Sequence, residues 1–171
     1  MAFYLNFNKE YILKNKAGIK ASDKKLITDF INKYKLPKPR INLGRKLYTK
    51  NLAGSLTDIS DGIYKDIFNV AGAGCGCRIN VEDIPVNEEL KQIAGILNID
   101  NYIDDIISFG EDYELLWTFG REYTGGELME LKDSCGTNVK KIGFIDENSA
   151  KLTLIKDGKV FLPEDHTFRH L

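Results

Sequence analysis

The chain of 171 residues contains no uninterrupted apolar run of about 18 residues, so no transmembrane helix is expected. Its start, Met1-Ala2-Phe3-Tyr4-Leu5-Asn6, lacks the basic stretch, apolar run and cleavage site of a secretory leader, and the cytoplasm is the expected compartment. Cysteine is scarce. Cys75, Cys77 and Cys135 make an odd number, which argues against a disulfide framework in a reducing compartment. Cys75-Gly76-Cys77 has the form of half a soft metal site, but no second Cys or His pair stands at a matching spacing. Two small residues in a glycine-rich turn is the plainer reading. Internal repeats and low-complexity segments are also lacking.

What is present is an ordinary globular composition, 43% hydrophobic and 29% charged, enough for one domain with a real core. The net charge of −1 hides an uneven distribution. Residues 1–50 carry 13 Lys/Arg against 3 Asp/Glu, and residues 51–171 carry 11 against 22. A basic segment can mark nucleic-acid binding, but these lysines are scattered through a helical pattern without interleaved aromatics or a known reading motif. A solvated helix face explains them better. A basic segment facing an anionic substrate or a partner domain is the other reading.

Residues 1–21 mix aromatics with lysines, hold Gly18, and read as a short connecting segment or an irregular helix. Leu26, Ile27, Phe30, Ile31 and Tyr34 recur at helical spacing, with Ser22 as the expected N-cap and Pro37-Lys38-Pro39-Arg40 as the stop. Residues 42–48 read as a second helix and 52–59 as a strand. Residues 61–71 read as a helix whose broad apolar face holds Ile63, Ile67, Phe68 and Val70. Further strands are expected at 78–82, 113–119 and 139–145. Helices are expected after an Asn87 cap and at 126–134, and a hairpin at 152–162 around Asp157-Gly158. Interspersed strands and helices with hairpins predict an α/β layered fold, a mixed sheet flanked by helices.

Two short runs carry candidate chemistry. In Asp58-Ile59-Ser60-Asp61-Gly62, an extended backbone puts Asp58 and Ser60 on one side and Ile59 in the core. Ser60 then caps the following helix and Asp61 sits in its first turn. Free N–H groups at a helix start suit a phosphate, Gly62 permits close approach, and the two carboxylates are hard ligands of the kind magnesium prefers. Taken alone, each part is equally an ordinary cap or turn. In Gly110-Glu111-Asp112-Tyr113-Glu114-Leu115, three acids stand at the mouth of an apolar strand. Strand alternation would pair Asp112 with Glu114 on one face and Glu111 with Tyr113 on the other. A solvated strand start is as good a reading as a cleft wall.

Together, in this order, the two runs resemble thiamine-monophosphate kinase. Pro37-Lys-Pro-Arg40 with Gly44, Gly76-Cys-Arg-Ile-Asn80 with Ile84-Pro85, Lys141-Ile-Gly143 and Thr167-Phe-Arg-His-Leu171 also match. The resemblance covers residues 22–171 and implies a domain of the aminoimidazole-ribonucleotide-synthetase C-terminal type, packed in the family against an N-terminal ATP-binding half. It implies transfer of the γ-phosphoryl group of ATP to thiamine monophosphate, giving thiamine diphosphate. It also implies Asp58 and Asp61 as Mg2+ ligands, Ser60 as an ATP contact and Glu111 as a substrate contact. Phe168 is placed either to stack on the substrate or to anchor the core. Phe109 departs from the family, which usually has a glycine there. So does the terminal Arg169-His170-Leu171, and Asp165 and His166 replace an expected aromatic contact. Residues 1–50 hold only Glu10, Asp23 and Asp29 as acids, no match for the acidic N-terminal half. The chain is therefore expected to be inactive without that half, and to show an apolar or basic patch that a partner or self-association could close.

The same superfamily includes selenophosphate synthetase, aminoimidazole ribonucleotide synthetase and a hydrogenase maturation factor. The Gly-Glu-Asp-Tyr-Glu-Leu run favours the kinase over these. A degenerate binding module is a third reading, against which the retained Asp58, Ser60, Asp61 and Glu111 argue.

Overall fold

A computed structural model of the chain describes residues 19–147 and 151–162. The apolar stripe read between residues 26 and 34 forms one side of helix α1 (Ala21–Lys35). Ile27 and Ile31 are fully buried there, against Leu90, Ile93, Ala94 and Leu97 of α4 (Glu88–Leu97). Each such side chain contributes about 1.5–3 kcal/mol by leaving water. The start of α4 is as expected: the Asn87 side chain accepts from the Glu89 N–H at 2.9 Å. The start of α1 is not. Lys20 occupies the cap position without a side-chain bond, and its carbonyl accepts from both Asp23 and Lys24. Ser22 therefore lies inside the first turn, where its hydroxyl donates to Asp23. Pro37 and Pro39 separate α1 from α2 (Ile41–Thr49), which buries Leu43 and Leu47 against Leu131 of α6 (Gly125–Cys135). Helix α6 is held by a capping box between Thr124 and Glu127, which the sequence reading missed.

The strands divide between two sheets rather than forming one. Strand β1 (Ser55–Asp58) pairs antiparallel with β3 (Leu115–Thr118), Asp58 opposite Leu115. The second sheet is mixed, in the order β4-β2-β5-β6. There β2 (Gly76–Asn80) runs antiparallel to β4 (Gly143–Asp146) and parallel to β5 (Leu152–Lys156), which turns back into β6 (Lys159–Phe161). Asp157 and Gly158 both have positive φ, as the type I′ hairpin requires.

Helix α3 (Ile63–Ala71) joins the two sheets. Its Ile63, Ile67 and Val70 share one core with Leu116 of the first sheet, with Ile59 just after β1, and with Cys77, Ile79 and Leu154 from the second sheet. Helix α5 (Tyr102–Ser108), which the sequence reading did not assign, adds Ile107 to that core. Strand β2 lies two residues earlier than read, with 81–83 forming a 3-10 turn. The other expected strands are shorter than read: 52–54 and 59 stay outside β1, 113–114 and 119 outside β3, and 139–142 outside β4. Cys77 is core, its thiol pushed up to about 11 by burial and then by Cys75 beside it. The turn read at Cys75-Gly76-Cys77 lies earlier, at Ala73-Gly74, and Gly76 and Cys77 already belong to β2. Among the described residues no group of three or more His, Cys, Asp and Glu could hold a metal ion. Leu36, Ile41 and Tyr48 stand exposed in the basic part of the chain.

Candidate active site

Strand β1 alternates as read. Leu56 and Asp58 face outward, and Ile59 follows into the core. The chain then turns through Ser60, Asp61 and Gly62, and the helix begins at Ile63, two residues later than expected. Ser60 is therefore not the cap. Gly62 takes that position with φ 102° and ψ 152° and no side-chain bond. The N–H groups of Ser60 and Asp61 both donate to one oxygen of Asp66, Oδ2, at 2.9 Å each. Asp66 lies one turn into α3 and is 2% exposed, and its other oxygen accepts from Asn69 at 3.3 Å. The Ser60 and Asp61 amides are thus already occupied and are not the ones that would meet a phosphate. The turn presents the side chains of Asp58, Ser60 and Asp61.

The second acidic run is fastened to this turn. Glu111 N–H donates to the Ser60 carbonyl at 2.9 Å, Tyr113 N–H to Ile59 at 3.0 Å, and Ile59 N–H to Glu114 at 2.9 Å. The alternation expected for residues 111–114 does not occur, because Glu111 (φ 64°) and Tyr113 (φ 52°) adopt left-handed backbone. For a tyrosine this is an uncommon and costly conformation, which persists only where its surroundings impose it. Here two side chains impose it. The Tyr34 hydroxyl, from the last turn of α1, donates to Glu111 Oε2. Arg40 grips Glu114 at two points, Nε to Oε2 at 2.8 Å and Nη2 to Oε1 at 2.5 Å, the geometry that makes Arg–carboxylate pairs strong. Arg40 was noted only as part of a proline-arginine marker. Its work is to hold the loop.

Phe109 ends α5 in ordinary extended backbone (φ −92°, ψ 141°), open to any residue, so a side chain is accommodated there. Ser60 and Glu111, distant in sequence, are brought together, with Asp58 and Asp61 flanking Ser60. Phe168 lies outside the described residues. A cavity of about 410 Å³ lined by Val81, Ile84, Tyr102, Lys140 and Lys156, among others, includes none of the candidate residues.

Tyr34 carries a testable signature. Burial, and then its bond to Glu111, raise its pKa well above the ordinary 10.0. A raised folded-state value stabilises the fold fully below the unfolded pKa, and this contribution is lost as pH rises toward the folded value. The protein should therefore lose stability above about pH 10, and Tyr34→Phe should flatten that slope while already costing the Glu111 bond at pH 7. Urea midpoints measured from pH 8 to 11 check this; an identical slope in the variant would refute it.

No family model matches the chain. In sequence it is 30% identical over 150 residues to the thiamine-monophosphate kinase of Buchnera aphidicola subsp. Schizaphis graminum, covering 85% of this chain and 44% of that protein. It is likewise 30% identical over 149 residues to that of Escherichia coli strain K12, covering 86% of this chain and 43% of that protein. The chain thus spans under half the length of the curated relatives it matches, in their C-terminal part. In fold it resembles thiamine-monophosphate kinase from Stenotrophomonas maltophilia K279a, with TM-score 0.68 at 23% identity over 94% of this chain and 46% of that one. It also resembles AaThiL complexed with AMPPCP and TMP, with TM-score 0.63 at 24% identity over 92% of this chain and 45% of that one. Hydrogenase maturation protein HypE in complex with ATP has TM-score 0.56 at 16% identity over 76% of this chain and 40% of that one. The mixed α/β fold expected from the sequence, of the aminoimidazole-ribonucleotide-synthetase type, is therefore the fold observed.

Proposed function

The chain is homologous to the C-terminal part of the thiamine-monophosphate kinases, and from that premise we propose that it works as one half of such an enzyme. In this reading it takes part in transferring the γ-phosphoryl group of ATP to thiamine monophosphate, in the cytoplasm. It turns over only with an N-terminal half that supplies the opposite wall. Residues 22–171 form the contributing domain, and the exposed Leu36, Ile41 and Tyr48 belong to a surface that the other half or a second copy would cover. The observation that carries the proposal is the junction of the two acidic runs, with Glu111 N–H bonded to the Ser60 carbonyl. The two acidic runs that carry the resemblance meet at that bond.

Asp58 and Asp61 offer hard oxygen donors on an exposed turn, and these fit a Mg2+ ion that keeps water and nucleotide oxygens as its other ligands. When bound, the ion would neutralise charge on the transferring phosphoryl group. Ser60 is assigned to the nucleotide and Glu111 to the thiamine moiety, with Phe168 as a stacking residue. What these residues contribute is positioning, the main currency of phosphoryl transfer. Fixed by Tyr34, Glu111 holds the substrate beside the turn that faces ATP.

Calorimetry on the chain mixed with the N-terminal half of a relative tests this. Mg2+–AMPPCP should bind, EDTA should abolish binding, and Asp61→Ala or Asp58→Ala should weaken it by on the order of tenfold or more. Native affinity in Asp61→Ala would remove the metal role. Stabilisation by purine intermediates but not by thiamine phosphates would point to a synthetase instead.

A further inference from the structure

We propose that Asp66 is the positioning residue of this site, fixing the Asp58–Gly62 turn and, through it, the Glu111 loop. The proposal deepens the reading of the turn given above. Asp66 is 2% exposed, and a buried carboxylate persists only where its oxygens are bonded. One oxygen takes both the Ser60 and the Asp61 N–H, at 2.9 Å each. These two hydrogen bonds, donated by consecutive amides to one acceptor, set the planes of two successive peptides. They therefore set where the Ser60 carbonyl points and where the Asp61 side chain leaves the backbone. The Ser60 carbonyl is in turn the acceptor for Glu111 N–H at 2.9 Å, and Gly110 packs flat against the same peptide. Asp66 thus acts on Asp61 directly and on Glu111 through Ser60. Because it occupies both amides, phosphate does not meet this turn through the Ser60 and Asp61 N–H groups, and the carboxylate side chains with the cation they would carry are left for it.

The test compares Asp66→Ala and Asp66→Asn in the full chain. Both amides share a single oxygen, so a carboxamide oxygen can accept them, and Asn69 can present its own oxygen to the new NH2 group. Asp66→Ala is expected to speed amide exchange at Ser60, Asp61 and Glu111 by about tenfold or more, with Ile79 and Leu154 unchanged. It should also weaken Mn2+ binding by about tenfold, while Asp66→Asn stays within about threefold of native in both. A merely structural role would raise exchange at Ile79 and Leu154 as well and leave the Mn2+ affinity of the folded protein unmoved. Asp66→Ser, whose side chain is too short to reach the two amides, replaces alanine should that variant fail to fold. Native exchange at Ser60, Asp61 and Glu111 in the truncated variant overturns the proposal. So does an Asp66→Asn variant as impaired as the truncation, which would make the carboxylate charge itself the functional group. Mn2+ binding is measured with AMPPCP and the N-terminal half of a relative supplied; if the native chain takes up no Mn2+ even then, the metal reading of Asp58 and Asp61 fails, and amide exchange still decides the role of Asp66.

Discussion

Replacing Gly110 by alanine is expected to lift the Glu111 loop off the Ser60 turn, at a cost of about 3 kcal/mol. A Cβ at position 110 would lie 1.9 Å from the Ser60 carbonyl oxygen, 2.4 Å from its carbon and 2.7 Å from Asp61 Cα. All three are backbone atoms, so no flexible side chain can swing aside. The loop must retreat, and retreat breaks the bonds from Glu111 N–H to Ser60 and from Tyr113 N–H to Ile59. Once these are gone, only the side-chain bonds from Tyr34 and Arg40 oppose relaxation of the left-handed Glu111 and Tyr113 toward ordinary backbone. Arg40 would still hold Glu114, so the strand entering β3 should survive while the site comes apart. Urea denaturation should show a lower midpoint with an unchanged slope. The Gly110→Ala chain, supplemented with an N-terminal half, should bind Mg2+–AMPPCP and thiamine monophosphate poorly. A variant within 0.5 kcal/mol of native (roughly the effect of a neutral surface change) would show that the close approach is not required.

The helices were legible where periodicity was strong and side chains had one available role. Ile27 and Ile31 on α1, and Leu90 and Ile93 on α4, are core in the structure as the spacing demands. Asn87 and Asp157-Gly158 act locally, so local sequence sufficed to place them. Helix α5 escaped because its seven residues are too few to establish a period. The loop at 111–114 was misread because alternation assumes ordinary backbone, and the forces that overrule it there come from Tyr34 and Arg40, on segments remote in sequence. On α3 the reading placed Phe68 on the apolar face and passed over Asp66, whereas Phe68 is 44% exposed and Asp66 is buried. The signal was present. Asp66 falls three residues after Ile63 and four before Val70, on the apolar stripe itself. A carboxylate on a core-facing stripe announces a bonded partner. The Asp58–Gly62 turn was recognised as a chemical feature, but its geometry was taken from a generic helix start, and Asp66 is what makes it different.

Gly62 carries two separate constraints, and a comparison with Gly72 can divide them. Both stand at the ends of α3 with positive φ, 102° and 90°, in a region that L side chains adopt only with strain of about 1–3 kcal/mol. At Gly72 an added Cβ meets nothing within 4 Å. At Gly62 it would lie 2.7 Å from the Ser108 carbonyl oxygen and 2.9 Å from its carbon, backbone atoms at the end of α5. Gly72→Ala should therefore lose about 1–2 kcal/mol, from backbone strain alone. Gly62→Ala should lose about 3 kcal/mol or more, strain and overpacking together. The excess has a functional side. To relieve the clash, the first turn of α3 must move away from α5, carrying Asp66 with it and loosening its hold on the Ser60 and Asp61 amides. Gly62→Ala should thus also speed exchange at those two amides, whereas Gly72→Ala should leave them protected. Equal losses in the two variants would mean that Gly62 is there for its backbone angles alone and that contact with α5 does not shape the turn.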